Sequence, residues 1–301
     1  MEWLWIPVTM LAAAAQTVRN AVQRSVTKTA GVLPAAFIRF FYGLPFAVVF
    51  LAFTSWITSA PLPAANAGFV LWITLGAASQ ALASAFFVAA MTHRSFVVSV
   101  VFSKTEVIQV AIYSILFLGE SIPAAAAVAI ALSTAGVVLL AGRTAAEQHL
   151  GASAWLSRGA LLGLASGAML AVAAVGYRGA MLEIPGHAPW LAAAYGLVWA
   201  QLIQTLLLGG WLLARDRAGL AKVLVAWRES LPGGFAGALA SFGWFTAFAL
   251  RSAVDVRIVG LVEVLYSYAV STRLFKEHVR ALEAAGMALV LLGILVVSLA
   301  R

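Results

Sequence analysis

Lys104 and Glu106 stand two residues apart near the middle of a long apolar stretch. A charge at the centre of a bilayer costs at least about 2.5 to 3.5 kcal/mol, so each of these groups needs a partner, water or a bound solute. Two residues apart on a helix, their side chains point about 200° apart, and they cannot neutralise each other within that helix. One of them must therefore find its partner on another helix, in a wet cavity or in a solute. A second carboxylate, Glu263, falls about seven residues into a later apolar stretch. Burial favours a protonated carboxyl, which makes Glu106 and Glu263 the candidate proton-coupling residues. Arg39 lies about five residues inside the second apolar stretch, and Arg19 about eight from the end of the first. Either arginine could snorkel to a membrane face. Alternatively, they form a cationic lining, and a guanidinium fork suits a carboxylate or phosphate. Arg19, Arg39 and Lys104 outnumber Glu106 and Glu263, which tilts the expectation toward solutes that carry an acidic group.

Uncharged polar side chains accompany these charges at mid-depth: Gln16, Gln80, Gln201 and Gln204. In lipid such groups pair across helices or line a cavity. Eight of the ten tryptophans (Trp3, Trp5, Trp56, Trp72, Trp155, Trp190, Trp211, Trp227) fall near the ends of apolar stretches, as an interfacial belt requires. Trp199 and Trp244 do not. With Tyr42, Tyr195, Tyr266 and Tyr268 they either pack the interior or form an amphipathic wall for an organic solute. The substrate-binding candidates are thus Lys104, Glu106, Arg39, Gln16, Gln80, Gln201, Trp199, Trp244 and Tyr266.

The elements that must position these residues are membrane helices. With 63% hydrophobic and 10% charged residues and a mean hydropathy of +0.99, the chain has too little polar surface for a water-soluble globule of 301 residues. About 20 apolar residues span the hydrocarbon. Glycine, proline and charge clusters divide the sequence into ten such stretches, at about 3–27, 33–57, 67–91, 96–118, 122–141, 155–182, 189–213, 231–250, 256–275 and 279–299. Met1 to Trp5 lack the basic start of a removable signal, so the first stretch is expected to be a retained helix. Pro45 and the small-residue run from Ala77 to Ala85 mark where bending and close helix approach cost least.

Residues 94–140 align without a gap on 251–297, with 12 identities in 47 positions, among them Arg94 with Arg251, Glu106 with Glu263, Glu120 with Glu277 and Gly136 with Gly293. Alanine-rich sequence matches itself at roughly a tenth of positions by chance, so this is an internal repeat. Five helices in each half is an odd number, which inserts the second copy upside down relative to the first. The expected architecture is an all-α integral membrane protein of ten transmembrane helices in two inverted five-helix repeats, 1–142 and 155–301, joined by a linker at 143–154. The odd-numbered connections hold 11 Lys and Arg; the even-numbered connections and the ends hold 3, namely Arg251, Arg257 and Arg301. The positive-inside rule then leaves both termini outside the cell, in a multi-pass inner-membrane protein. The polar break from Arg215 to Glu229 is amphipathic enough to lie along the membrane surface.

The pattern FSKTEVIQVAIYSILFLGE (Phe102 to Glu120), the following TAGVVLL, and their second-half counterparts LVEVLYSYAVSTRLFKE (Leu261 to Glu277) and LLGILVV resemble the EamA repeat of the drug/metabolite transporter superfamily. AAFIRFFYGLPFAVVFL, with Arg39 and Phe40, also looks like that family's second segment. The resemblance covers essentially the whole chain. It implies ten helices around a central cavity that opens alternately to each side, in a carrier of amino acids, nucleotide sugars, other small metabolites or drugs. Family members are commonly drawn with cytoplasmic termini, so the charge distribution here departs from that picture.

Other classes fare poorly. The four histidines stand apart at segment ends, no HExxH, GxSxG or phosphate-cradling glycine loop occurs, and there is no cysteine. No enzyme, metal or cofactor is therefore expected. The net charge of +8 is spread over short loops, which argues against nucleic acid. The expected activity is secondary active transport of small polar organic metabolites such as amino acids or carboxylates, by alternating access with export the favoured direction, possible proton coupling and a possible homodimer. A passive channel is the alternative. Its partners would be the solute and the lipid bilayer, and the fourth and ninth helices its moving elements.

Overall fold

The computed structural model describes residues 3–91, 102–147, 157–266, 269 and 281–300. Twelve helices carry the described chain: α1 (Trp5–Ala30), α2 (Val32–Phe41), α3 (Leu44–Thr58), α4 (Ala67–Met91), α5 (Glu106–Leu118), α6 (Ala124–Glu147), α7 (Arg158–Leu182), α8 (Pro189–Arg215), α9 (Arg217–Val225), α10 (Trp227–Leu250), α11 (Ala253–Gly260) and α12 (Ala281–Leu299). Among the described residues there is no strand. Each apolar stretch marked out from the sequence carries helix. Among the described residues five segments are long and apolar enough to cross a membrane: Leu33–Thr58, Ala67–Phe87, Arg158–Leu182, Pro189–Arg215 and Trp227–Leu250. Outward residues on four of them are apolar too: Trp56, Leu71, Leu161 and Leu206 are each more than 60% exposed. Large apolar side chains facing outward at this density need hydrocarbon as solvent. The chain is a membrane-embedded helical protein.

Two compact units divide it. The first comprises Met1–Ala81 and Gly176–Arg251, the second Leu82–Val175 and Ser252–Arg301. The boundaries fall inside α4 and α7, and each unit draws on both halves of the sequence, so the compact units do not coincide with the sequence repeats.

In the first unit α1 lies along α10, and α8 packs against α2, α3 and α10. Phe37, Ile38, Phe40, Leu208 and Leu212 form its apolar core with Leu220 and Val223 of α9. The stretch expected along the membrane surface thus docks one face of α9 into this core while Arg217 and Lys222 stay exposed. Asp216 caps α9 by accepting the Gly219 N–H at 2.9 Å. The second apolar stretch breaks at Tyr42 and Gly43, between α2 and α3. Pro45 sits in the first turn of α3, where its missing N–H removes a bond that a continuous helix would need.

In the second unit α6 and α12 pack closely. A Cβ on Gly136 would meet the Gly286 carbonyl oxygen at 2.6 Å, and one on Gly293 the Ala129 carbonyl oxygen at 2.8 Å. Only glycine lets backbones approach so closely, which explains the glycine conserved between the two repeat copies at these positions. α6 runs on to Glu147, into the stretch expected to be the linker. The fourth and ninth stretches are each interrupted by a tight turn at nearly the same repeat position. The Thr105 N–H bonds to the Phe102 carbonyl at 3.2 Å, and the Leu261 N–H to the Ile258 carbonyl at 3.1 Å. Tyr268, Glu277 and the remaining linker residues 148–154 lie outside the described residues.

Candidate functional site

The interior of the first unit holds a polar cluster in apolar surroundings. Gln204 of α8, 1% exposed, donates to Gln80 Oε1 at 2.5 Å, to the Tyr177 hydroxyl at 3.0 Å and to the Ala77 carbonyl at 3.4 Å. Tyr177 of α7 in turn donates to Gln80 Oε1 at 2.8 Å. α4 comes close enough for this because Gly176 faces Gly76: a Cβ on Gly176 would lie 2.9 Å from the Gly76 Cα. This close approach falls at Gly76, one residue before the small-residue run from Ala77 to Ala85. Gln16 of α1 accepts the Trp244 indole N–H at 3.1 Å, a second cross-helix bond, between α1 and α10.

Arg19 and Arg39 meet at one glycine. A Cβ on Gly237 of α10 would lie 3.1 Å from the Arg39 Cβ and 3.3 Å from the Arg19 Cδ, so the two stems converge on the same helix face. Arg39 also stacks its guanidinium over the Phe40 ring, 4.4 Å from the centroid. Arg19, 8% exposed, donates from Nε and Nη2 to Asn20 Oδ1 at 3.2 and 2.7 Å. Gln201, one turn before Gln204 on α8, is 2% exposed, and its Oε1 has no hydrogen-bond partner among the described residues. Its amide rests against the α2–α3 break, 2.8 and 3.2 Å from where a Gly43 Cβ would stand.

The second unit holds a different feature. Glu106, at the start of α5, forms an ion pair with Arg257 of α11, the side chains being 4% and 18% exposed. Glu106 takes its partner from another helix, one of the alternatives open from sequence; the helical-angle argument itself does not apply, because the turn at Thr105 separates half-buried Lys104 from α5. Arg257 itself was expected on an outer connection. It lies inside α11 instead, because Ser252 caps that helix, accepting the Asp255 N–H at 3.2 Å, and so begins it before the expected boundary at 256.

Of the residues singled out from sequence, Arg39, Gln16, Gln80, Gln201, Trp199 and Trp244 belong to the first unit, and Lys104, Glu106, Glu263 and Tyr266 to the second. Within the first unit, Gln80 joins the cluster while Gln16 and Trp244 bond each other. Trp199 packs edge-on against Phe69 and Tyr195, with centroids 6.1 and 6.4 Å apart. Glu263 and Tyr266 are half-buried beyond the turn at Leu261. Sequence reasoning passed over Tyr177, Gly237 and Arg257. A tyrosine or glycine in an apolar run carries no local signal, and Arg257 stood too near a segment end to be counted as interior.

The fold and these side chains define a helical membrane protein with polar groups in its interior. No family model and no curated protein matches the chain. Among solved structures, 28 chains match. One crystal structure is similar over 100% of this chain and 100% of its own, with a TM-score of 0.75 at 15% sequence identity. A likeness at that identity shows the fold alone.

Proposed function

We propose that this protein is a secondary active carrier of small polar organic metabolites, an EamA-like member of the drug/metabolite transporter superfamily with ten spans in two inverted five-helix repeats. The observation that carries the reading is the Gln80–Tyr177–Gln204 cluster with two neighbouring arginines inside a membrane-embedded unit. Polar groups in hydrocarbon are costly, and where they gather in a bundle interior they commonly mark a solute path. The repeat in the sequence and the glutamate after each tight turn support alternating access, with the turns at Thr105 and Leu261 as places where the helices can flex. In this conformation Glu106 is engaged by Arg257, so coupling through Glu106 requires the pair to open before the carboxylate accepts a proton.

The test is reconstitution of the purified protein into vesicles, with uptake of amino acids, carboxylates, nucleosides and amines measured under an imposed proton gradient. A carrier gives saturable uptake and counterflow. Flux linear in concentration without counterflow makes it a channel, and no flux of any compound removes the transport reading. Orientation follows from single cysteines introduced at 148–151 in a chain that has none of its own. Labelling from the cytoplasmic side is expected, and labelling from outside reverses the topology.

A further inference from the structure

We propose that the outward face of α9 is a docking surface for anionic phospholipid, its headgroup phosphates held by Arg215, Arg217, Lys222 and Arg228. This surface follows from the membrane-embedded fold and is independent of the carrier reading.

α9 is apolar on two opposite sides. Gly219, Leu220 and Val223 are buried, the last two in the core of the first unit. Ala218, Ala221 and Val225 are exposed, Val225 at 82%, and their spacing of three and four lines them up along the other side. Five residues carry a helix about 140° beyond a full turn, so Arg217 and Lys222 border this outer stripe on its two flanks. In such an arrangement the cationic stems lie along hydrocarbon while their heads reach phosphate oxygens. Both ends of α9 are pinned, which fixes the face it presents. Asp216 caps the start, and the Tyr42 hydroxyl donates to the Val223 and Leu224 carbonyls at 3.1 and 3.4 Å.

Depth selects the occupant. α8 has 27 residues, about 40 Å of helix against about 30 Å of hydrocarbon, so its ends reach the headgroup layer. α9 follows Arg215 after the single residue Asp216, and α10 begins at Trp227. Trp211 and Trp227 are exposed on either side of α9, and indole rings favour the headgroup level. A face held at that depth meets lipid before it meets a soluble protein.

Charge selects the lipid. From Arg215 to Glu229 four basic side chains stand against two acidic ones, Asp216 and Glu229. All four basic side chains are exposed. Among the described residues Arg217 commits its Nε to the Leu213 carbonyl at 2.8 Å, and the Arg228 guanidinium lies 5.2 Å from the Trp227 ring centroid. Their remaining donors suit phosphate oxygens. A zwitterionic headgroup brings its own cation, whereas an anionic one answers the net positive charge.

The experiment substitutes Val225→Cys in a chain that has no cysteine, labels it with bimane and reconstitutes the full-length protein in phosphatidylcholine vesicles. Quenching by brominated phosphatidylglycerol is compared with quenching by brominated phosphatidylcholine at equal mole fraction. Each basic group near an anionic surface is worth about fivefold, so a net of two gives an expected preference for phosphatidylglycerol of about 10- to 25-fold. Salt at about 0.5 M reduces it severalfold. Arg217→Gln with Lys222→Gln makes the segment neutral and is expected to bring the preference to about twofold or less. Arg215→Gln with Arg228→Gln is the second variant, expected to do the same if the first does not fold. Arg217→Lys keeps the preference.

Equal quenching by the two lipids would overturn the surface, since hydrocarbon alone or a second copy of the chain then covers the stripe. So would a preference that both neutral double variants retain. Absence of quenching by either lipid would put α9 in water and reject its depth. Loss of the preference on adding inorganic phosphate or glycerol phosphate at constant ionic strength would make this a site for a soluble phosphate and reject the lipid.

Discussion

Removing Arg257 should destabilise the protein more than removing its partner Glu106, and removing both should cost less than removing Arg257 alone. The pair lies in an apolar unit, with Glu106 at 4% side-chain exposure and Arg257 at 18%. Opposite unit charges about 4 Å apart at an effective dielectric near 20 attract by about 4 kcal/mol, an attraction set against the desolvation of both ions. In Arg257→Leu the more deeply buried charge is stranded, and a buried charge left without its partner costs about 3 to 5 kcal/mol. In Glu106→Gln the arginine, the less deeply buried of the two, keeps a neutral acceptor, so the cost should be about 1 to 3 kcal/mol. Adding Glu106→Gln to Arg257→Leu discharges the stranded group and should recover about 2 kcal/mol.

The assay is unfolding of the three variants in mild detergent followed by far-ultraviolet circular dichroism. A double variant less stable than Arg257→Leu, with the two losses simply adding, would refute the reasoning.

Three further substitutions test the packing. Gly136→Ala pushes a methyl toward the Gly286 carbonyl and the Val290 side chain and should cost about 1 to 3 kcal/mol; Gly119→Ala, at φ +63° with nothing within 4 Å, should cost only about 1 kcal/mol of backbone strain, and equal losses in thermal unfolding would contradict the close-packing account. Gln204→Leu removes three hydrogen bonds at once and should cost about 0.6 to 2 kcal/mol by the same assay, with tyrosine fluorescence reporting the change around Tyr177. Asp216→Ala deletes the cap of α9 and should cost about 1 kcal/mol, seen as faster hydrogen exchange at Gly219; unchanged exchange there would mean the cap does not hold the helix.

Much of the helical plan was legible because the bilayer imposes it. An apolar run of spanning length has few options in lipid other than helix, so α4 begins and ends where composition changes, and the stretch at 189–213 becomes α8 with little adjustment. Breaks were legible in kind but not in place. Pro45 announced a bend, yet the chain opens at Tyr42 and Gly43, because proline is accommodated in the first turn of the following helix and the interruption precedes it. The tight turns at Thr105 and Leu261 had no proline to announce them. They are hydrogen-bond choices made within apolar runs, which composition does not record.

Charge identities were settled by sequence, and charge partners by tertiary structure. The sequence expected Lys104 and Glu106 on opposite sides of one helix, but a turn at Thr105 parts them instead. That Arg257 serves Glu106 required α11 to lie against α5, a packing arrangement no spacing along the chain encodes. The same holds for Arg19 and Arg39, whose neighbourhood depends on Gly237 of α10, about two hundred residues further on, admitting both stems to one face. Local sequence decides which segments must leave water, since transfer free energy sums along a stretch. Which polar groups then meet inside depends on close contacts between distant segments, and those energies exist only once the helices have packed.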